Sequence, residues 1–181
     1  MRLFVAVDVP DGVKDAVERD VVTPLRDAFP AARWSRPEGR HLTLKFLGEV
    51  SDERLEGVGD ALAEAAPRHV GFDAAFGDVG GFPNLRRPRV LWIGIGRGAD
   101  ELGALAAGIE DVLQPLGFPG EDRPFRGHYT LARFREPTLI GALPPVAVPA
   151  QPWRVDEVVL FRSQLHPKGA RYTALERFPL S

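Results

Sequence analysis

The sequence predicts an α+β fold of two lobes related by a pseudo-twofold axis, and three observations carry that expectation. Two strand-like runs share the pattern His-x-Thr-Leu, at His41-Leu42-Thr43-Leu44 and His128-Tyr129-Thr130-Leu131. Each is preceded by a strand, a helix and a loop in the same order. From Arg2 to His41 is 39 positions, and from Arg89 to His128 is 39 again. Finally, strand-like segments outnumber helical ones and pair through hairpins, the mark of antiparallel sheets.

Arg2 to Val9 reads as a strand, closed by Pro10 and Gly12. Val13, Val17, Val21 and Leu25 recur at four-residue steps, predicting an amphipathic helix that ends near Phe29-Pro30. A loop with Trp34 and Pro37 leads to the first His-x-Thr strand. Ser51 suits the N-cap of a second helix with the apolar face Leu55, Val58, Leu62 and Ala65, closed by Pro67. His69 to Val79 reads as extended, and Gly80-Gly81-Phe82-Pro83-Asn84 as a loop.

The pattern then restarts. Arg89 to Ile95 reads as a strand, and Leu102, Leu105, Ile109, Leu113 and Leu116 mark a helix stopped by Gly117 and Pro119. Pro124-Phe125 leads into the second His-x-Thr strand. The two copies, beginning at about 2 and about 89, are offset by 87 residues, too long for a solenoid repeat. They are expected to form one bilobal domain over 1–181. A Pro-rich connection from Pro144 to Pro152 precedes a strand over Val155 to Ser163. The turn Pro167-Lys168-Gly169 then brings back Ala170 to Phe178 as its hairpin partner.

Composition removes several classes of function. There is no Cys, which excludes disulfides, thiolate nucleophiles and Cys-based zinc sites. No apolar run approaches the length of a membrane helix, and the first residues enter a strand rather than a signal-peptide layout, so a soluble cytoplasmic protein is expected. The net charge of −2 argues against a broad duplex-binding surface. Positive charge nevertheless gathers beside both motifs: Arg33, Arg36, Arg40 and Lys45 at the first, Arg123, Arg126, Arg133 and Arg135 at the second. Arg86, Arg87 and Arg89 form a third knot. Together these suit a small anionic ligand.

On a strand, a His and the Thr two residues later share one face, while Leu42, Leu44, Tyr129 and Leu131 take the other. With five Thr in 181 residues, chance would pair two of the four His this way in roughly one chain of 200. Two imidazoles in a shared cleft can serve as general base and general acid for one displacement, and two hydroxyls can hold anionic oxygens between them. That set fits in-line displacement at phosphorus. It calls for no metal or other cofactor, and neither motif has a carboxylate at ligand-like spacing. His69 and His166 lack the following Thr and read as surface or structural residues. Ser163 has no triad context. Trp34 and Trp92 read as core or rim aromatics, either of which suits stacking on a base.

These residues resemble the 2H phosphoesterase superfamily, and within it the RNA 2′,3′-cyclic phosphodiesterases also called 2′-5′ RNA ligases. The likeness spans nearly the whole chain. It includes Arg2-Leu3-Phe4-Val5-Ala6, Leu44-Lys45-Phe46-Leu47-Gly48-Glu49, Pro88 to Gly94, and Ser163 to Tyr172. The resemblance implies lobes that each carry an antiparallel sheet with helices outside, forming a V-shaped cleft. It implies hydrolysis of a 2′,3′-cyclic phosphate, on an RNA 3′ end or a nucleotide, to a 2′-phosphate, by a monomer. His41 would be proton donor, His128 proton acceptor, and Thr43 and Thr130 phosphate-binding hydroxyls. Gly127 stands where the family often has Pro, and Tyr129 where it has a smaller aliphatic residue. Arg133 matches a basic family position, an implied phosphate contact, although strict alternation places it opposite His128. Two other readings stay open: the same groups joining the cyclic phosphate to a 5′-hydroxyl, and a non-catalytic RNA-end or nucleotide-binding module.

Overall fold

The computed structural model describes residues 1–167 and 169–181; Lys168, in the expected hairpin turn, lies outside the described residues. The elements run β1 (Arg2–Val7), α1 (Asp11–Val17), α2 (Thr23–Ala28), β2 (Arg33–Trp34), β3 (Leu42–Glu49), α3 (Asp52–Ala65), β4 (Phe72–Ala74) and β5 (Phe76–Phe82). They continue with β6 (Val90–Ile95), α4 (Ala99–Leu113), β7 (His128–Arg133), β8 (Trp153–Val155), β9 (Glu157–Gln164) and β10 (Arg171–Pro179). The main sheet is antiparallel in the order β10-β9-β1-β3-β7-β6-β5, with β2 on β7, while β4 and β8 form a separate pair. Its first half holds β1, β3 and the β9–β10 hairpin; its second holds β7, β6 and β5. Strands β3 and β7 meet in one register pair, Leu42 with Tyr129, the residue that follows each motif His, and β2 adds Arg33 with Arg133 and Trp34 with Ala132 on β7. No helix among the described residues is long and apolar enough to cross a membrane.

The helices cover the sheet face opposite the cleft. The expected first helix is present in two α-helical pieces joined by a π-helical turn, Glu18–Val22. A strict four-residue step outruns the 3.6-residue turn, and the wider π turn absorbs the difference. Val17, Val21, Val22 and Leu25 are thereby all fully buried. Helix α3 buries Val58, Leu62 and Ala65 as its spacing predicts. Ser51 does occupy its N-cap in extended conformation, but its side chain makes no capping hydrogen bond. Helix α4 buries Leu102, Leu105, Ile109 and Leu113; Leu116 falls past its end and is 38% exposed.

The structure corrects three local expectations. Gly80, Gly81 and Phe82 are not loop but the end of β5. Glycine is there for room rather than for turning: a Cβ on Gly80 would lie 2.2 Å from the ring of Trp92, its cross-strand neighbour. The strand expected from Val155 is divided, since Val155 ends β8 and β9 begins at Glu157. Strand alternation is also broken, by bulges on the two motif strands. The β1–β3 register shifts between Val5 and Ala6 and again between Leu3 and Phe4, leaving Leu44 and Leu47 as the extra residues. The β6–β7 register shifts between Leu91 and Trp92, leaving Leu131 extra. Each bulge reverses the facing of the residues beyond it.

Gly80→Ala forces the Trp92 ring to move and is expected to cost about 1–3 kcal/mol of stability. Gly103→Ala, in the interior of α4 with nothing within 4 Å of the added methyl, is expected to gain about 0.5–1 kcal/mol. Denaturant midpoints of the two variants, moving in opposite directions, check both.

Candidate active site

A cavity of about 400 Å³ opens at the junction of the two halves, and His41, Thr43, His128, Thr130 and Arg133 all line it. The expected pairs are therefore brought together. The β7 bulge resolves the conflict over Arg133: the extra Leu131 returns Arg133 to the face of His128 and Thr130. On β3, the bulge at Leu44 turns Lys45 away from the cleft and leaves Phe46, 63% exposed, beside it.

His41 precedes β3 and is 9% exposed, packed on Phe161 at a centroid distance of 4.3 Å and edge-on to Tyr172 at 5.4 Å. Its Nδ1 lies 3.5 Å from Asp8 Oδ1, an ion-pair distance rather than a short hydrogen bond. Asp8 Oδ1 also accepts from Lys14 Nζ at 2.7 Å and from the Val9 amide at 2.9 Å. Burial raises the Asp8 pKa, but the contacts from His41 and Lys14 outweigh it and hold the carboxyl well below the usual carboxylate range. A fixed anion at Nδ1 suits a ring that carries its hydrogen there. The Nε2 atom makes no hydrogen bond among the described residues.

His128 opens β7 and is supported differently. Its Nδ1 sits 2.7 Å from the Arg126 carbonyl, which can only accept, so Nδ1 carries the hydrogen and the neutral ring keeps its lone pair on Nε2. Burial lowers its pKa; the hydrogen bond to Arg126 opposes that, and the positive charges of Arg133 and Arg126 add to the lowering. Phe82 stands edge-on at 5.0 Å and holds the ring plane. One imidazole thus faces a carboxylate, the other a carbonyl and two guanidinium groups.

The basic residues grouped around the motifs divide in two. Arg40 is 1% exposed, donating from Nη1 to Glu18 Oε2 at 2.7 Å, from Nε to Ser35 Oγ at 3.0 Å and from Nη2 to the Ser35 carbonyl. Ser35 Oγ in turn reaches the Leu131 carbonyl at 2.8 Å, tying the first motif to β7. Lys45, turned by its bulge, bonds Glu110 Oε2 at 2.9 Å on α4. Both side chains are held in internal ion pairs; Arg40 borders the cavity with its side chain fully buried against Glu18 and Ser35. Arg33, Arg36, Arg123 and Arg135 do not line the cavity, nor do Arg86, Arg87 and Arg89. His69 packs on Gly108 of α4. Ser163 does line the cavity, from β9. Among the described residues no three His, Asp or Glu cluster as metal ligands.

Sequence reasoning missed Asp8, Phe46 and Tyr172. The repeat gives no hint of Asp8, because the equivalent position 87 residues on is Ile95. A lone carboxylate closing an apolar strand was the signal available.

The chain is similar to known proteins along its whole length. A family model described as LigT like Phosphoesterase matches the chain twice, over residues 7–92 and 93–172. The RNA 2′,3′-cyclic phosphodiesterase of Thermus thermophilus is 39% identical, over 99% of this chain and 90% of its own. That of Methanothermobacter thermautotrophicus is 33% identical, over 99% of both. Among solved structures, TT0787 of Thermus thermophilus superposes with a TM-score of 0.85 at 35% identity, covering 99% of this chain and 97% of its own. E. coli LigT complexed with 3′-AMP superposes with a TM-score of 0.82 at 28% identity, covering 99% and 98%. With both halves matched by one family model, and with relatives alike from end to end, this chain belongs to the LigT-like phosphoesterases.

Proposed function

We infer that this chain is an RNA 2′,3′-cyclic phosphodiesterase that opens the cyclic phosphate to a 2′-phosphate by acid–base catalysis between two histidines. The observation that carries the mechanism is the unlike support of the two imidazoles across one cleft. His128, with Nδ1–H held by the Arg126 carbonyl and its pKa lowered, presents a lone pair and takes the proton of the attacking water. His41, with Asp8 at Nδ1, gives a proton from Nε2 to the leaving O3′. Oxygen–phosphorus bond formation on the His128 side and cleavage of P–O3′ on the His41 side leave the phosphate on O2′. The hydroxyls of Thr43 and Thr130 and the guanidinium of Arg133 hold the non-bridging oxygens. Asp8 acts through His41 and is a positioning residue.

The relatives named RNA 2′,3′-cyclic phosphodiesterase support the substrate, and the cleft supports an RNA 3′ end or a nucleotide. On this reading the chain is one bilobal domain built from a unit duplicated at about 2 and about 89. It acts as a monomer in the cytoplasm, where such RNA ends are met. A binding module without chemistry would have no need of two oppositely supported imidazoles.

The direct test incubates the protein with nucleoside 2′,3′-cyclic monophosphates, EDTA and ¹⁸O-labelled water. The expected product is the 2′-phosphate with one label; a 3′-phosphate, or loss of activity in chelator, would refute the mechanism. His41→Ala and His128→Ala are each expected to lower kcat by about 10²–10⁴-fold with the fold retained, checked by circular dichroism. Asp8→Asn should lower kcat by between about 10-fold and 10⁴-fold, the range spanned by orienting carboxylates, with KM little changed. Arg133→Ala removes a positive charge that depresses the His128 pKa. The acid limb of kcat/KM against pH should therefore move to higher pH while its plateau falls, and an unmoved limb would separate Arg133 from His128.

A further inference from the structure

The chemistry assigned above gives no part to Lys14, a cation that α1 buries beside the support of His41. Lys14 follows Val13 on the first helix and goes inward with that face, at 6% exposure. Its backbone amide donates to the Pro10 carbonyl at 3.0 Å, which seats the first turn of the helix against Asp8. Its ammonium reaches the same Asp8 oxygen that faces the imidazole. Oδ1 therefore has three neighbours: Lys14 Nζ at 2.7 Å, the Val9 amide at 2.9 Å and His41 Nδ1 at 3.5 Å. A carboxylate oxygen offers two lone-pair sites, and the two shorter donors take them. His41 Nδ1 is left buried with no hydrogen-bond partner among the described residues, which calls for a reason. Asp8 also borders a cavity of about 300 Å³, but the two arginines there, Arg154 and Arg177, pair with Asp73 and Glu157. Of the other ionisable groups around His41, Tyr172 stands edge-on from β10, His128 and Arg133 line the cleft from β7, and Arg40 is taken by Glu18.

We propose that Lys14 is a positioning residue for the acid step: by occupying the Asp8 oxygen that faces Nδ1, it withholds that oxygen from His41 and leaves the imidazolium ready to surrender its proton. The proposal rests on the assignment of His41 as acid. A carboxylate bonded at full strength to an imidazolium stabilises the charged ring and makes it a reluctant donor. A missing carboxylate leaves the ring unoriented. Lys14 sets the arrangement between these limits, because it keeps Asp8 ionised and in place while sharing its charge. With only 8% of its side chain exposed, the ammonium has little water to turn to and stays on Asp8 whether His41 is charged or neutral. In the step itself the Nε2–H bond of His41 breaks and an O3′–H bond forms. The ring becomes neutral, and Asp8 keeps Lys14 as its counter-ion.

The experiment follows hydrolysis of cytidine 2′,3′-cyclic phosphate in EDTA from about pH 5 to 10 for the wild type, Lys14→Met, Lys14→Gln and Lys14→Arg. The basic limb of kcat/KM is where His41 loses the proton it donates. It should move up by about one unit in Lys14→Met and Lys14→Gln, since removing a cation that shares an oxygen with the ring favours the charged ring. The acid limb, set by His128, should stay. The plateau of kcat should fall by no more than about tenfold, the most that an acid weaker by that amount loses. Lys14→Arg keeps the charge and should restore the wild-type limb. In ¹⁵N-histidine-labelled protein the titration midpoint of His41 should rise with the basic limb, a change that a merely structural lysine would not produce. The wild type itself should show no far-downfield Nδ1 proton of a short imidazole–carboxylate hydrogen bond at His41; such a proton overturns the proposal whether or not the variants fold. A basic limb that stays in place in Lys14→Met and Lys14→Gln, or moves equally in Lys14→Arg, also overturns it and leaves the hydrolase reading standing. A wild type with no basic limb, or full turnover in His41→Ala, instead refutes the two-histidine reading and this proposal with it.

Discussion

One register pair sets the candidate active site: Leu42 against Tyr129, where the edge of β3 meets the edge of β7. Each is the residue after a motif His, so a pairing at this position brings both imidazoles to the same seam. A slip by a single residue would turn Thr43 or Thr130 to the helical face. One pair of residues is a weak joint, and the two β2 pairs on β7, Arg33 with Arg133 and Trp34 with Ala132, reinforce it together with a buried hydrogen-bond chain. Arg40, beside His41, holds Ser35, and Ser35 holds the carbonyl of Leu131 on β7. Glu18 completes the set from the π-helical turn. The cationic half of that pair is removed from water, so losing its partner would strand a buried charge. The irregular turn in the first helix therefore has a consequence at the seam: it lies where Glu18 can meet Arg40.

The same frame makes two chemically distinct histidines from two copies of one motif. Duplication alone would give equivalent imidazoles, and equivalent imidazoles do not divide the labour of acid and base. The difference comes from residues outside the motifs. Asp8 follows β1 in the first half, while Ile95 ends β6 in the second. The second histidine has instead the Arg126 carbonyl and the returned Arg133. The face of each lobe is then finished differently, with Phe46 and Tyr172 beside His41 and Trp92 beyond His128.

Much of this was legible in the sequence because it is periodic. The repeat of His-x-Thr-Leu at an offset of 87 revealed the two halves, the strands, the cleft and the residues that line it. What escaped was whatever broke the period. The bulges at Leu44 and Leu131 are set by packing between strands and leave no local composition signal, yet they decide that Lys45 leaves the cleft and Arg133 enters it. Gly80-Gly81 carries a loop composition and forms strand, because the reason for glycine was a tryptophan on the neighbouring strand. Arg40 and Lys45 look like anion ligands from their spacing; only the fold shows that Glu18 and Glu110 hold them. Asp8 breaks the symmetry of the repeat, so a search by symmetry passes over it.

The proposed division of labour rests on His128 as the base, held by its Nδ1 hydrogen bond. Long-range ¹H–¹⁵N correlation spectra of the ¹⁵N-histidine-labelled protein, with His128 assigned by the His128→Ala variant, read the tautomer of the neutral ring directly. Above the His128 pKa, the account predicts hydrogen on Nδ1 and a bare Nε2. Hydrogen on Nε2, with Nδ1 bare, would leave no lone pair facing the cleft and would contradict the division of labour between the two histidines.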